Sequence, residues 1–316
     1  MLTTSKLSLS RMQTVTHTLA ILAMMMGLFG LLGYLLLGMT GLFLALTLCI
    51  VLLTTTPRIA PALILRMYGA RELSISEAPG LYAVVTELAE RADLARLPRL
   101  YYIPSKVMNA FSVGNRQGSA IAISDGILRY LDWREIAGVL GHELGHIRNN
   151  DLWLYSLADM LSRITAMLSF AGQLLIVFYL PLWIFSHQRI SLLVILLLFF
   201  APALATLMQL ALSRTREYAA DQAAVELTGD SQGLAEALMK MEKYQSRFWE
   251  TLVFPGRKVP EPSVLRTHPH NALRIERLRL LGQGQPYKRD QQGAMLPDHF
   301  PVIERPPRWY WLKPWH

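Results

Sequence analysis

Charge is scarce in this sequence of 316 residues. Charged residues make up 17% of the chain and apolar residues 52%, whereas an ordinary soluble domain has about a quarter of its residues charged. This composition excludes an ordinary soluble domain and predicts insertion into a lipid bilayer. Lys and Arg outnumber Asp and Glu by 31 to 23, which gives a net charge of +8. The basic residues cluster beside the apolar runs, as expected of anchors at an anionic leaflet.

Several features that would indicate other functions are missing. Cys49 is the only cysteine, which excludes an intramolecular disulfide and a cysteine-based structural zinc site. No basic stripe with interleaved aromatic residues occurs, so nucleic acid is not an expected partner. The sequence also lacks a phosphate-binding loop of the form G-x-x-x-x-G-K-[ST], so an ATP-driven activity is not expected.

The first long run without charge predicts a transmembrane hairpin within residues 18–56. Residues 18–57 contain no Asp, Glu, Lys or Arg, and this run is about twice the ~20 residues that span a hydrocarbon core. Two spans, at about 18–37 and 41–55, fit this length. A signal peptide is the alternative, because Lys6 and Arg11 precede the run. The run is too long for one, however, and no cleavage site follows it.

A second apolar pair predicts another hairpin within residues 166–212. Its spans, at about 166–185 and 190–212, flank a short polar tip. Gln173 and Pro181 leave open a re-entrant or interfacial path for the first of these spans. Basic residues flank the spans on one side, whereas the two hairpin tips carry only Arg189. The positive-inside rule therefore predicts that both termini and the polar segments lie in the cytoplasm.

The polar segments predict a domain that the second hairpin interrupts. Short runs rich in β-branched or aromatic residues predict strands at 99–103, 110–113 and 120–124. The sequence Asp132-Trp-Arg-Glu135 has the form of a capping box, which predicts a helix start. Further helices are predicted at about 77–95, 213–245 and 270–281.

These patterns predict an α+β chain, a mainly helical integral membrane protein with two transmembrane hairpins and a cytoplasmic domain that has a small sheet. The predicted segments are 1–17, 18–56, 57–165, 166–212, 213–285 and 286–316.

Residues 141–151 read GHELGHIRNND and contain the pattern H-E-x-x-H. On a helix, His142 and His146 lie one turn apart on one face, so both can reach one metal ion. Zinc suits imidazole ligands, and a catalytic zinc keeps one position open for water. Glu143 is close enough to that water to act as general base while the metal polarises a peptide carbonyl. A chance match to so short a pattern is the alternative.

Such a site needs a third protein ligand. Residues 213–221 read SRTREYAAD and follow directly on the last apolar span. Glu217 and Asp221 lie four residues apart on one helical face, which fits Glu217 as the ligand and Asp221 as the acceptor for a ligand histidine N–H. Glu226 is the alternative ligand, and an ordinary solvated helix face is the alternative for the pair. Glu217 lies only ~6 Å along a helix beyond Ser213, which predicts a site just beneath the cytoplasmic face of the membrane.

Together these motifs resemble a known family. GHELGH with the following NND, SRTREYAAD, and THPHNALRI at 267–275 are similar to the signature motifs of the HtpX-type membrane zinc metallopeptidases. These enzymes are relatives of the CAAX prenyl protease and of the mitochondrial stress-responsive membrane metalloproteases. The resemblance covers about residues 60–282 and the four-span layout. It implies a gluzincin-like domain at the bacterial inner membrane, with one Zn²⁺ per chain held by His142, His146 and Glu217 and with Glu143 as general base.

The resemblance also implies roles for residues behind or beside the metal. Asp151 and Asp221 match carboxylates that lie behind the ligands, and Arg274 is placed with them. The segment that contains His268 comes near the zinc in the family, which implies a hydrogen bond to the oxyanion or gating of the open metal position. A simple helix entry, with Arg274 packed internally, is the alternative.

Asn109, Ala110 and Phe111 resemble the edge strand with which the family binds substrate. Such a strand reads an extended peptide through its backbone without fixing the peptide's sequence. An ordinary sheet strand is the alternative. The C-terminal segment RPPRWYWLKPWH departs from the family, and its aromatic and basic residues suit either a lipid headgroup region or a tail with no specific role.

The leading functional hypothesis is a membrane-integrated, ATP-independent zinc endopeptidase. It would cleave cytoplasmic segments of membrane proteins or unfolded polypeptides, and the resemblance implies a role in protein quality control. A maturation protease of the CAAX-processing type is an alternative, although four spans are too few for an enclosed chamber. A transporter or non-catalytic scaffold is another, although the spans lack the intramembrane charge of an ion pathway. Assembly into homo-oligomers is left open.

Overall fold

The computed structural model of the protein describes residues 4–55, 61–185, 192–252 and 271–282. The chain divides into two compact units. We call the unit formed by residues 58–152 and by the chain from Glu217 onward the polar unit. The other, formed by residues 4–57 and 153–216, is the apolar unit.

Most of the described residues are helical, and the strands are few and short. The helices are α1 (Thr4–Thr55), α2 (Pro61–Met67), α3 (Pro79–Arg91), α4 (Asp125–Tyr130), α5 (Trp133–Asn149), α6 (Asp151–Phe185), α7 (Leu192–Thr228), α8 (Ser231–Leu252) and α9 (Asn271–Gly282). The strands are β1 (Arg71–Glu72), β2 (Arg99–Ile103), β3 (Ala110–Asn115) and β4 (Gly118–Ser124). The predicted α+β class, mainly helical with a small sheet, is therefore confirmed.

Three helices among the described residues are long and apolar enough to cross a bilayer. They include the stretches Met12–Thr54, Asp151–Phe178 and Leu192–Thr228. Large apolar side chains such as Phe43, Phe178 and Phe199 are exposed on them. An exposed apolar surface of this extent is stable in lipid rather than in water, so the chain is a membrane protein. The two hairpins stay a prediction, and the predicted tip at 186–189 lies outside the described residues.

The first apolar helix is interrupted at Gly38. This residue has φ 63° and ψ −147°, a conformation that glycine adopts without steric cost. A Cβ on Gly33 would lie 2.6 Å from the carbonyl oxygen of Gly41, although eight residues of continuous helix would separate the two by about 12 Å. The two arms of α1 therefore fold back on each other, and glycine is required where their backbones touch.

A proline inside α7 is compensated by polar side chains of α6. Pro202 has no N–H and so cannot bond the carbonyl of Leu198 one turn earlier. Gln173 Nε2 donates to that carbonyl oxygen at 2.9 Å, and the buried Ser169 hydroxyl donates to it as well. Gln173 therefore does not mark a break in the helix, since α6 is continuous from Asp151 to Phe185. We call this group of contacts the Leu198 clamp.

The described part of the polar unit contains one mixed sheet in the order β1-β2-β4-β3. β2 and β4 are parallel, whereas β1 pairs with β2 and β3 pairs with β4 in antiparallel fashion. Side chains alternate between the two faces of a strand. Leu100 and Ile121 point into the main core, with α3, α4 and α5, and Tyr101 and Ala122 point to the opposite face, where α2 packs.

The predicted strands and the capped helix are found close to their expected positions. The Asp132 side chain accepts from Glu135 N–H, and the Glu135 side chain accepts from Asp132 N–H, so the capping box that begins α5 is formed. The single helix predicted at 213–245 is wrong. It stops at Thr228 because Gly229 adopts φ +70°, and Asp230 then accepts from the N–H groups of the new helix α8.

Candidate active site

Helix α5 presents His142, Glu143 and His146 on a buried surface. All three residues are at most 5% exposed. The histidines are separated by one helical turn, and their rings stand edge to face with centroids 4.6 Å apart. The H-E-x-x-H pattern therefore lies on a single helix, as predicted, with both imidazoles directed to one place.

Small residues allow the C-terminal part of α7 to approach α5 closely. A Cβ on Gly145 would lie 2.9 Å from Cβ of Ala223 and 3.1 Å from the carbonyl oxygen of Ala220. Contacts this short leave no room for a side chain, so the glycine between the two histidines is needed for packing. The close approach brings Glu217 and Asp221, which are both buried, to the imidazoles of α5.

Three potential metal-ligand side chains converge at this point. Nε2 of His142 and Nε2 of His146 lie 3.1 Å apart. The Glu217 carboxylate lies 3.4 Å from the first of these nitrogens and 3.5 Å from the second. Ligands of a tetrahedral zinc site at 2.0–2.2 Å from the metal would be separated from one another by about 3.3–3.6 Å. The three side chains therefore have the spacing that one zinc ion requires.

Two carboxylates hold the outer nitrogens of the histidines. Nδ1 of His146 lies 2.8 Å from Asp151, and Nδ1 of His142 lies 2.9 Å from Asp221. A neutral imidazole that donates from Nδ1 to a carboxylate presents its lone pair at Nε2. Two lone pairs that face each other across 3.1 Å, beside a carboxylate, repel one another unless a cation lies between them. The chemistry of these ligand atoms therefore fits a metal ion, and so do the distances between them.

Asp151 reaches His146 because of a tight turn between two helices. Asn150 ends α5 in the left-handed conformation with φ 58°, which asparagine tolerates better than most residues. The next residue, Asp151, begins α6 and is fully buried. The sequence Asn-Asn-Asp after the second histidine thus provides the turn and then the carboxylate.

Arg274 of α9 brings a positive charge to the site. It is 1% exposed, and its Nη1 lies 3.1 Å from Glu217 while its Nε and Nη2 donate to the two oxygens of Asp221 at 2.8 and 2.6 Å. Burial raises the pKa of Asp221, but the charge of Arg274 outweighs it and lowers the pKa to about 2. One guanidinium therefore fixes a candidate ligand and the carboxylate behind another.

The acidic surroundings act on both histidines. Burial lowers the pKa of each imidazole, but hydrogen bonds to carboxylates outweigh it. Asp221 and Glu217 raise the pKa of His142, and Asp151 and Glu217 raise the pKa of His146 well above its usual value. The carboxylates therefore favour a positive charge at the imidazoles, and a bound metal ion would supply that charge.

The alternative ligand Glu226 does not join this group. Its carboxylate accepts from Arg148 of α5 at 3.0 Å and from Gln222 at 3.3 Å. The cluster of potential metal ligands among the described residues consists of His142, His146 and Glu217. Of the two glutamates considered from the sequence, the structure thus brings Glu217 to the histidines.

The strand β3 lies at one edge of the described sheet and packs against α5. Ser124 N–H donates to the carbonyl oxygen of Asn109, so the backbone groups of Asn109 point toward β4. The direction of the backbone N–H and C=O groups alternates along a strand. The backbone groups of Phe111 therefore also point toward β4, whereas those of Ala110 and Ser112 point to the free edge. His268 lies outside the described residues.

Comparison with known proteins identifies the family. Residues 76–281 match Peptidase family M48. A protease HtpX homolog from Salinibacter ruber is 38% identical over 229 residues, which cover 72% of this chain and 79% of that protein. A protease HtpX homolog from Pyrococcus furiosus is 33% identical over 276 residues, covering 82% and 93%. The crystal structure of S. mikatae Ste24p superposes with a TM-score of 0.40 at 20% identity, covering 87% of this chain and 66% of that chain. The chain therefore belongs to Peptidase family M48 and is a membrane metalloprotease similar to the HtpX proteins.

Proposed function

We propose that the protein is a zinc endopeptidase with one Zn²⁺ per chain, held by His142, His146 and Glu217. The observation that carries this proposal is the convergence of two imidazole nitrogens and the Glu217 carboxylate, whose two oxygens lie 3.4 and 3.5 Å from those nitrogens, with a carboxylate behind each histidine. When bound, zinc would supply Lewis acidity, which polarises the peptide carbonyl and lowers the pKa of water so that it can lose a proton and act as a nucleophile at neutral pH. The protein itself would carry out proton transfer, position the ligands and bind the substrate.

Glu143 is the proposed general base. It follows His142 directly on α5 and is buried beside it. Its carboxylate takes the proton from the attacking water and then delivers that proton to the amine of the departing peptide. One carboxylate thus serves both proton transfers.

Asp151, Asp221 and Arg274 are proposed to position the ligands. Asp151 and Asp221 hold Nδ1 of the two histidines and so fix the ring orientation and the tautomer. Arg274 holds the Glu217 carboxylate at the same time as Asp221. The ligand geometry is therefore set before any metal arrives, which reduces the reorganisation needed on binding.

The substrates are polypeptides, and we propose that they bind as an added strand on β3. Within the predicted segment Asn109 to Phe111, Ala110 has its backbone groups at the free edge, and Ser112 continues the row. Backbone pairing recognises any extended peptide, which suits unfolded polypeptides and cytoplasmic segments of damaged membrane proteins in quality control. No ATP is required, because an extended segment needs no unfolding. His268 is proposed to approach the oxyanion.

The proposed location is the bacterial inner membrane, with the site and both termini in the cytoplasm. The support is the distribution of basic residues beside the apolar runs. Glu217 follows the last charge-free run by four residues in the sequence. A site so close in the chain to a membrane span would meet segments that emerge from the bilayer.

Replacement of Glu143 tests the proposal. Glu143→Gln is expected to lower cleavage of casein in detergent by about 10²–10⁴-fold, the usual contribution of a general base, while zinc content stays at the wild-type level. Glu87→Gln, which changes a glutamate on α3 paired with Arg91, is the matched control and should cleave at the wild-type rate. If Glu143→Gln cleaves as fast as wild type, Glu143 is not the base.

A further inference from the structure

The short helix α2 has an apolar face that the described protein does not cover. Leu63 is 57% exposed and Met67 is 63% exposed. These two residues are one turn apart and lie on the same side as the exposed Ala62 and Arg66. We call these four residues the outer face of α2. Contact with water is unfavourable in free energy for two apolar side chains exposed side by side on a short helix.

The opposite face of α2 is fixed to the sheet. Leu65 is buried in a cluster with Phe111 and Val113 of β3, and the Tyr68 and Phe111 rings lie 4.9 Å apart. The helix ends in a Schellman motif, in which Gly69 and Ala70 donate N–H groups to the carbonyls of Arg66 and Leu65. The direction of the outer face is therefore set by packing and is not free to rotate inward.

The chain connects α2 directly to an apolar helix. Only residues 56–60 separate the end of α1 at Thr55 from the start of α2 at Pro61, and such a linker spans at most about 20 Å. The last turns of α1 expose Ile50, Val51 and Leu53. Exposed apolar residues thus occur in the sequence shortly before this linker and shortly after it.

We propose that the outer face of α2 is a membrane contact that lies in the headgroup and upper acyl region of the bilayer. Leu63 and Met67 would insert among the acyl chains, and the Arg66 guanidinium would meet lipid phosphates, as in other interfacial helices. This assignment is independent of the metal site. A consequence that rests on the proposed function is that β3, bound to α2 through Phe111 and Tyr68, receives substrate segments at the membrane surface.

Fluorescence quenching by lipid tests this contact in the full chain. Cys49 is the only cysteine, so single cysteines are placed at Leu63→Cys and Met67→Cys in a Cys49→Ala background and labelled with a small fluorophore. Matched controls are Glu90→Cys on α3 and Tyr130→Cys on α4, both exposed and both on the opposite face of the sheet from α2. The proteins are reconstituted into phosphatidylethanolamine and phosphatidylglycerol vesicles that carry nitroxide lipid.

Labels at positions 63 and 67 are expected to be quenched at least about twofold more than labels at positions 90 and 130, because only the former lie among acyl chains. Equal quenching at all four positions would overturn the proposal. Quenching that is weak at high protein density but appears on dilution with lipid would show that a second copy of the chain covers this face, which would also overturn it. Thermal unfolding of each labelled protein shows whether the fold is retained, and Ala62→Cys provides a second probe of the face. Catalytic activity does not enter the readout, so failure of the proposed function leaves this test intact.

Discussion

At the scale of single residues, the candidate site combines three buried carboxylates that contact the histidines with the buried guanidinium of Arg274. Asp151, Glu217 and Asp221 surround two imidazoles, and Arg274 pairs with two of the three carboxylates. A buried charge without a partner is costly, whereas a metal ion can take over part of a partner's role. The stability of the site should therefore depend on Arg274 and on zinc together.

Arg274→Met is expected to destabilise the metal-free protein by about 3–5 kcal/mol, since it removes the buried cation that pairs with both Glu217 and Asp221. The loss should be clearly smaller in zinc-loaded protein, because the ion offsets part of that charge. Denaturant unfolding in detergent, with and without zinc, measures both values. Arg129→Met removes a half-exposed pair with Asp125 and serves as the control, with a loss below about 1 kcal/mol. Equal losses for Arg274→Met with and without zinc would contradict the charge balance.

The local part of this site could be predicted from the sequence, and the long-range part could not. His142, Glu143 and His146 follow from helical spacing, and Glu217 was favoured because it follows directly on the last apolar span and has Asp221 one turn after it. The double contact of Arg274 is different, because 53 residues separate it from Asp221 and no periodicity links α9 to α7. Asp151 entered only through family resemblance, because helical spacing alone does not place a residue beyond the left-handed turn at Asn150 against His146.

At the scale of elements, the Leu198 clamp shows how a proline is tolerated in a membrane helix. The carbonyl released by Pro202 finds two donors on α6, as a bilayer interior requires of backbone groups. Ser169 and Gln173 of α6 are therefore hydrogen-bond partners of a backbone carbonyl that has lost its helical donor. The contribution of these two side chains to stability should be lost when Pro202 is replaced by a residue that has an N–H group.

The double substitution Ser169→Ala and Gln173→Leu is expected to cost about 1–2 kcal/mol of stability in detergent micelles, the range for hydrogen bonds between membrane helices. In a Pro202→Ala background the helix supplies its own N–H to Leu198, so the same pair should cost less than about 0.5 kcal/mol. Equilibrium unfolding of the four variants closes this cycle. An equal loss of stability in both backgrounds would mean that the clamp does not compensate for Pro202.

Elements with a strong local pattern were predicted well. The three predicted strands correspond to β2, β3 and β4, and the capping box begins α5 at the expected residue. The two-residue strand β1 was missed because it is defined by pairing with β2 and has no pattern of its own. The break between α7 and α8 was missed although Thr-Gly-Asp-Ser at 228–231 combines a helix stop with a helix start, a signal that the apolar periodicity on either side obscured.

At the scale of the whole molecule, the scarcity of charge correctly predicted a membrane protein, and family membership favours the enzyme over the transporter or scaffold. The orientation in the membrane rests on basic residues beside the apolar runs. Reporter fusions after residue 130 and at the C-terminus are expected to be active only as cytoplasmic reporters. A periplasmic signal from either fusion would reverse the orientation and remove the cytoplasmic segments of membrane proteins from the proposed substrates.

The metal content of matched glutamate variants tests the central claim most directly. Glu217 and Glu226 lie on the same helix, nine residues apart, yet only Glu217 faces both histidines. Purified protein is expected to bind about one zinc per chain, and Glu217→Gln should weaken zinc binding by more than about 100-fold, beyond the 10–100-fold typical of groups behind the ligands. Glu226→Gln should bind zinc as wild type does. Full zinc occupancy in Glu217→Gln, or a loss of zinc in Glu226→Gln of the same size, would contradict the ligand set.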